Sequence, residues 1–125
     1  MKEAFSEFVF VYGTLKEGKS AHKLLKDAIF EGDFAVCGTM YGKNGVAYPM
    51  IKFNSMNLVF GEVYSITPDM LKTLDRYEGH PHHYKRERIQ LRLPDGQFAE
   101  VDEDTWVYEY QGSVEGLDVI ESGVF

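Results

Sequence analysis

Apolar residues fall along this chain in short runs broken by glycine, proline and polar turns, a pattern that predicts more strand than helix. Residues 8–12 read Phe8, Val9, Phe10, Val11 and Tyr12, an unbroken β-branched and aromatic run suited to a central strand and too short for a helix. Residues 34–41 and 46–53 are apolar but punctuated by Gly38, Gly42, Lys43, Asn44, Gly45 and Pro49, which predicts a β meander. Residues 58–66 gather Val59, Phe60, Val63, Tyr64 and Ile66 into a further strand, where Gly61 predicts a bulge or a close backbone approach. Residues 84–93 alternate charged positions with Ile89, Leu91 and Leu93. Asp95 and Gly96 then supply a turn, and residues 98–110 continue through Val101, Trp106 and Val107, so a hairpin is the simplest reading.

Two segments depart from the strand pattern. Ser20 stands where it can cap a helix over residues 21–27. Thr67, Pro68 and Asp69 open a second helix, with a capping hydroxyl, a residue suited to the first turn and a charge suited to the positive helix end; Gly79 closes it. The tail over residues 111–125 carries three glycines and no period, and no element is assigned to it. Dominant strands, two short helices and hairpin-length connections predict an α+β fold: a small mixed, mainly antiparallel β-barrel, closed or nearly closed, with flanking short helices.

Composition narrows the function classes. A chain of 125 residues suits one domain around one core, and 44% hydrophobic with 14% aromatic content argues against disorder. The formal net charge of -7, with no basic run, repels phosphate backbones and acidic membranes, so neither nucleic acid nor membrane is expected as a partner. No window approaches the roughly 18 apolar residues of a membrane-spanning helix. Cys37 is the only cysteine, which rules out an intramolecular disulfide; beside Val36 in an apolar run it reads as a buried structural thiol. With no apolar leader at the N-terminus, a cytoplasmic location is expected. Oligomeric state leaves no mark in the sequence.

Two stretches carry candidate chemistry. The first is Val11, Tyr12, Gly13, Thr14, Leu15 and Lys16, where a strand feeds a loop whose glycine allows close backbone approach. Successive amides in such a loop can form a nest for a carboxylate or oxyanion, though a plain strand-ending turn accounts for the same string. Residues 13–20 also satisfy the phosphate-loop expression, from Gly13 through Gly18 to Lys19 and Ser20. A nucleotide-hydrolysing fold, however, needs parallel strands with crossover helices and an apolar strand ending in a magnesium-binding aspartate, and neither is legible here.

The second stretch is the helix end. Leu71, Leu74 and Glu78 share one helical row, which places a carboxylate beside the inward stripe. Partial desolvation there would raise its pKa toward neutrality and suit it to proton transfer; a frayed helix end with Glu78 in water is the bland alternative. His80, His82 and His83 crowd the next turn, but adjacent histidines diverge and no second cluster completes a metal site, so no metal is expected. Tyr84 and Arg86 lie two apart on a strand and share a face, either flanking a pocket or simply exposed.

Taken in order and spacing, residues 11–16, Tyr48 with Pro49, residues 61–64, residues 74–79 and residues 84–86 resemble the gamma-glutamylcyclotransferase-like family over most of the chain. The nearest likeness is to its small bacterial-type and gamma-glutamylamine cyclotransferase branch. The resemblance implies a small mixed β-barrel with flanking helices and makes the phosphate-loop match a coincidence. It implies Tyr12, Gly13, Thr14 and Leu15 as the substrate-binding loop and Glu78 as the acid-base residue, with Tyr84 shaping the pocket. The implied reaction is cofactor-independent: the α-amine of a small-molecule γ-glutamyl substrate attacks its own γ-carbonyl, giving 5-oxoproline and a free amine. A non-catalytic module binding a small carboxylate or a partner on the same fold remains the alternative.

Overall fold

The computed structural model describes residues 4–100 and 105–125. Along the chain come β1 (Glu7–Val11), a 3-10 turn (His22–Leu25), β2 (Ile29–Cys37), β3 (Thr39–Gly42), β4 (Met50–Lys52), β5 (Leu58–Ile66), α1 (Pro68–Glu78), β6 (Tyr84–Ile89), β7 (Thr105–Tyr110) and β8 (Asp118–Val119). Five strands form one sheet in the order β2-β5-β1-β7-β6, and three form a second in the order β4-β3-β8. The β1–β7 contact is parallel, through Val9 and Trp106; the other described ladders are antiparallel.

β1 lies at the centre of the large sheet, and the unbroken apolar run follows from burial on both of its faces. Val9 and Val11 point into a core shared with Leu25, Ile66, Leu71 and Leu74, which seats α1 and the 3-10 turn. Phe10 and Tyr12 point the other way, into a core with Val36, Met40, Ile51 and Val59 that the small sheet helps to cover.

The mixed, mainly antiparallel α+β architecture agrees with the expectation, but the barrel is not closed. Past β6 the chain swings across so that Arg92 exchanges two backbone hydrogen bonds with Ala35 of β2, at 2.7 and 2.8 Å. The edges of the large sheet meet there through an isolated bridge and not through a ladder. The hairpin is present: β6 and β7 pair antiparallel from Tyr84 opposite Tyr110 to Ile89 opposite Thr105. The Asp95–Gly96 turn closes with Leu93 and Gln97 joined at 2.7 Å. The part of that expected strand at residues 101–104, Val101 included, lies outside the described residues.

The helix expected over residues 21–27 is a four-residue 3-10 turn, His22–Leu25, with Ala21 and not Ser20 at its cap position. Only Ala21 and Leu25 are buried there, too little apolar surface to hold a longer helix to the core. Gly61 makes no bulge; the register shift lies between Phe30 and Gly32 on the partner strand. Its role is close approach, because a Cβ at that position would collide with the Val11 carbonyl oxygen and would lie 2.7 Å from the Phe10 ring. The expected strand over residues 34–41 is split at Gly38, where a Cβ would lie 2.8 Å from the Lys52 carbonyl oxygen. Of residues 46–53 only Met50–Lys52 is strand. No described helix is long and apolar enough to cross a membrane.

Candidate active site

Beyond Val11 the chain leaves the sheet and brings Gly13, Thr14 and Leu15 to the wall of a cavity of about 220 Å³. Gly13 packs against Pro49, whose ring carbons would stand 2.8 and 2.9 Å from any Cβ there, so only glycine lets the backbone pass. The loop carbonyls are used internally. Gly13 accepts from the Lys16 amide at 3.1 Å, Thr14 accepts from the Ala21 amide at 2.9 Å, and Leu15 is bonded to His22 Nδ1 at 2.9 Å. Among the described residues no hydrogen bond engages the amides of Gly13, Thr14 or Leu15.

α1 supplies the carboxylate. Thr67 Oγ1 accepts the Met70 amide at 3.2 Å, Pro68 starts the helix, and Leu71 and Leu74 are buried against the core. Glu78, one turn beyond Leu74, lines the cavity. Gly79 then stops the helix at φ 68°, a left-handed conformation that glycine adopts without strain. Loss of water pushes the Glu78 carboxyl up from its ordinary 4.5 to about 7. Among the described residues nothing donates a hydrogen bond to it or pairs with it, so burial acts uncompensated.

Three tyrosines complete the buried wall, and each hydroxyl proton is engaged. Tyr12 donates to the Tyr108 carbonyl at 2.6 Å, Tyr84 to the Pro49 carbonyl at 2.8 Å, and Tyr108 to Asp75 Oδ1 at 2.7 Å. Burial, with the Glu78 charge among the lesser causes, raises all three phenols above their ordinary range, so they stay neutral. Asp75 is held by Arg86 through two hydrogen bonds of 2.8 and 3.1 Å. Burial works to raise the Asp75 carboxyl, but Arg86 and Tyr108 outweigh it and hold it below its ordinary value.

Residues 9–125 match the family described as gamma-glutamyl cyclotransferase, AIG2-like. The chain belongs to this family. A relative from Methanocaldococcus jannaschii, provisionally named a gamma-glutamylcyclotransferase, is 32% identical over 126 residues, covering 94% of this chain and 93% of its own length. Gamma-glutamylaminecyclotransferase A of Danio rerio is 34% identical over 113 residues, covering 80% of this chain and 66% of its own length. The crystal structure of an AIG2-like protein from Mus musculus superposes with a TM-score of 0.77 at 26% identity, over 92% of this chain and 86% of that one.

The six residues singled out in the sequence, Tyr12, Gly13, Thr14, Leu15, Glu78 and Tyr84, line this one cavity. Arg86 does not; it braces α1 from the neighbouring strand through Asp75. The three histidines diverge. His80 Nδ1 accepts the Arg86 amide at 3.2 Å, His82 is exposed, and His83 reaches the cavity. The octapeptide resembling a phosphate loop runs into a 3-10 turn, and its lysines turn to the tail: Lys16 Nζ donates to the Phe125 carbonyl at 3.2 Å and Lys19 Nζ lies 5.2 Å from the Phe125 ring centre. Tyr77, His83 and Tyr108 also line the cavity, and no local pattern assigned them there. Tyr48 and Pro49 join them, and the family motif was their only signal.

Proposed function

We propose that this protein is a cyclotransferase that converts a γ-glutamyl amine or related γ-glutamyl compound to 5-oxoproline and the free amine, with Glu78 as general acid and base. The observation that carries this reading is the Glu78 carboxyl, desolvated to a pKa of about 7, in one cavity with the unengaged amides of Gly13, Thr14 and Leu15. Membership of the family and the names of its relatives point the same way.

The chemistry needs a base for an ammonium, donors for a developing oxyanion and an acid for a departing nitrogen. Glu78 as carboxylate takes a proton from the substrate α-ammonium. The freed amine attacks the γ-carbonyl carbon, forming the ring C–N bond and an oxyanion. Collapse breaks the bond to the leaving nitrogen, which takes the proton back from Glu78; the ring nitrogen then gives up its remaining extra proton through the same carboxylate to the departing amine, which leaves as an ammonium beside the neutral lactam. The step is redox-neutral and takes up no water. A group with pKa near 7 is close to evenly divided between base and acid at neutral pH, the condition under which both transfers are served. The loop amides hold the oxyanion or the substrate α-carboxylate. The buried aromatic wall keeps amine and carbonyl in contact distance and excludes water. Tyr12, Tyr84 and Tyr108 shape that wall, since their protons are engaged elsewhere.

Incubation with γ-glutamyl amines, γ-glutamyl dipeptides and glutathione, following 5-oxoproline by mass spectrometry, tests the reading. Wild-type protein is expected to form product from at least one compound, and Glu78→Gln to lose about 10²-fold or more of that rate. Binding of a γ-glutamyl compound with no product from the whole panel would instead support a non-catalytic carboxylate-binding module.

A further inference from the structure

The cavity wall divides by exposure. Tyr12, Leu15, Tyr84 and Tyr108 are buried, whereas Tyr48, Tyr77 and His83 stand at the solvent side, the two tyrosines 41% and 47% exposed. On the cyclotransferase reading, with the α-carboxylate or oxyanion at the loop amides, the departing amine lies toward this open side, from which the product amine escapes.

The rings at that side pack against one another. His83 stands edge-on to Tyr84 at 5.0 Å, to Tyr110 at 5.5 Å and to Tyr48 at 6.1 Å between centres. Its backbone is pinned at both ends: the amide donates to the Gly79 carbonyl at 2.9 Å, and the carbonyl accepts the Gln111 amide at 2.9 Å. The Tyr84 hydroxyl ties Pro49, next to Tyr48, to the same cluster. Tyr77 is engaged elsewhere, its hydroxyl sharing a 2.8 Å hydrogen bond with Thr14. Among the described lining residues there is no lysine or arginine to receive a carboxylate on the leaving amine. The mouth offers fixed ring edges and faces, which favour a flat aromatic body by edge-to-face and offset contact at little ordering cost.

We infer that Tyr48 and His83 are specificity-determining residues that form the leaving-group subsite and select amines bearing an aromatic ring over small alkyl amines. The inference rests on the cyclotransferase reading for its turnover arm and on the geometry alone for its binding arm. It also gives a function to one of three clustered histidines, neither of the other two lining the cavity.

The test compares γ-glutamylbenzylamide with γ-glutamylmethylamide. Wild type is expected to favour the benzylamide in kcat/KM by about tenfold. That ratio should fall toward one in Tyr48→Ala and His83→Ala and persist in Tyr48→Phe and His83→Phe, which keep a ring. Titration of Glu78→Gln with both compounds reads the same preference as binding, without turnover. A ratio near one in wild type, or a ratio unchanged in both alanine variants, overturns the inference. Preferential binding of the benzylamide with no 5-oxoproline from any compound would uphold the subsite and defeat the cyclotransferase. Product formation with no preference would do the reverse.

Discussion

A carboxyl stripped of water without a compensating donor prefers its proton, and Glu78 is in that position. Its carboxyl titrates near 7 in the folded protein against an ordinary 4.5. The folded state therefore holds this proton more tightly than the unfolded chain, so between those two pH values the stability contributed by the group falls as pH rises. Below 4.5 both states are protonated and the site costs nothing; above 7 the full cost is present. At roughly 1.4 kcal/mol per pKa unit, that cost is about 3 kcal/mol. Glu78→Gln is thus expected to melt above wild type at pH 8, with the gap closing by about pH 4, as thermal denaturation across pH would show. Equal melting temperatures at both ends would mean that Glu78 is solvated. The acid limb of wild-type kcat/KM should fall at the same ionisation, since the base form is lost below it. The Leu71, Leu74, Glu78 row already placed this residue near the apolar stripe, whereas its lack of a donor among the described residues depends on groups far away in sequence.

At the scale of elements, α1 is set by local chemistry and aimed by distant chemistry. Its cap, its proline and its closing glycine lie within residues 67–79, and all three signals were legible. What aims its last turn is the fork between Asp75 and Arg86, with Arg86 stacked 4.2 Å from the Trp106 ring centre and Tyr108 donating to the same carboxylate. Both charged side chains are largely covered, with 21% and 19% exposure, so removing one strands the other. Arg86→Ala should cost about 1–3 kcal/mol of stability and lower kcat more than it raises KM. It should also move the acid limb of activity to lower pH as water reaches Glu78, a change that loss of stability alone would not produce. Arg86→Lys should recover only part, because an ammonium cannot form the fork. Alternation brought Tyr84 and Arg86 to one strand face, but only the packed sheet separates their roles, one lining the cavity and one bracing the helix. The 3-10 turn after the loop shows the opposite failure: its composition permits a helix, and two buried side chains are too few to hold one.

For the molecule as a whole, strand spacing at the sheet centre governs where the loop emerges. Gly61 lies where β5 passes β1, and a methyl group there would meet the Val11 carbonyl and the Phe10 ring just before the loop begins. Gly61→Ala is expected to destabilise by roughly 1–3 kcal/mol, measurable by urea denaturation, because two backbones must part to admit it. The tail, which has no period of its own, is held by long-range bonds: Ile120 donates to Met40 at 2.8 Å, and Phe60 to Gly123 at 2.9 Å. Residues such as these are silent in the sequence, since a backbone bond to a distant partner demands no particular side chain. Local signals settled the strand-rich character, the central strand, the ends of α1 and the two stretches that meet at the cavity, because turn, cap and periodicity preferences act within a few residues. Tertiary packing decided that the barrel stays open, that Arg92 bridges to Ala35, that three histidines part company and that Tyr48, Tyr77, His83 and Tyr108 share one wall. Each of those depends on which backbone lies opposite which, and burial energy chooses among such arrangements only when the whole core is assembled.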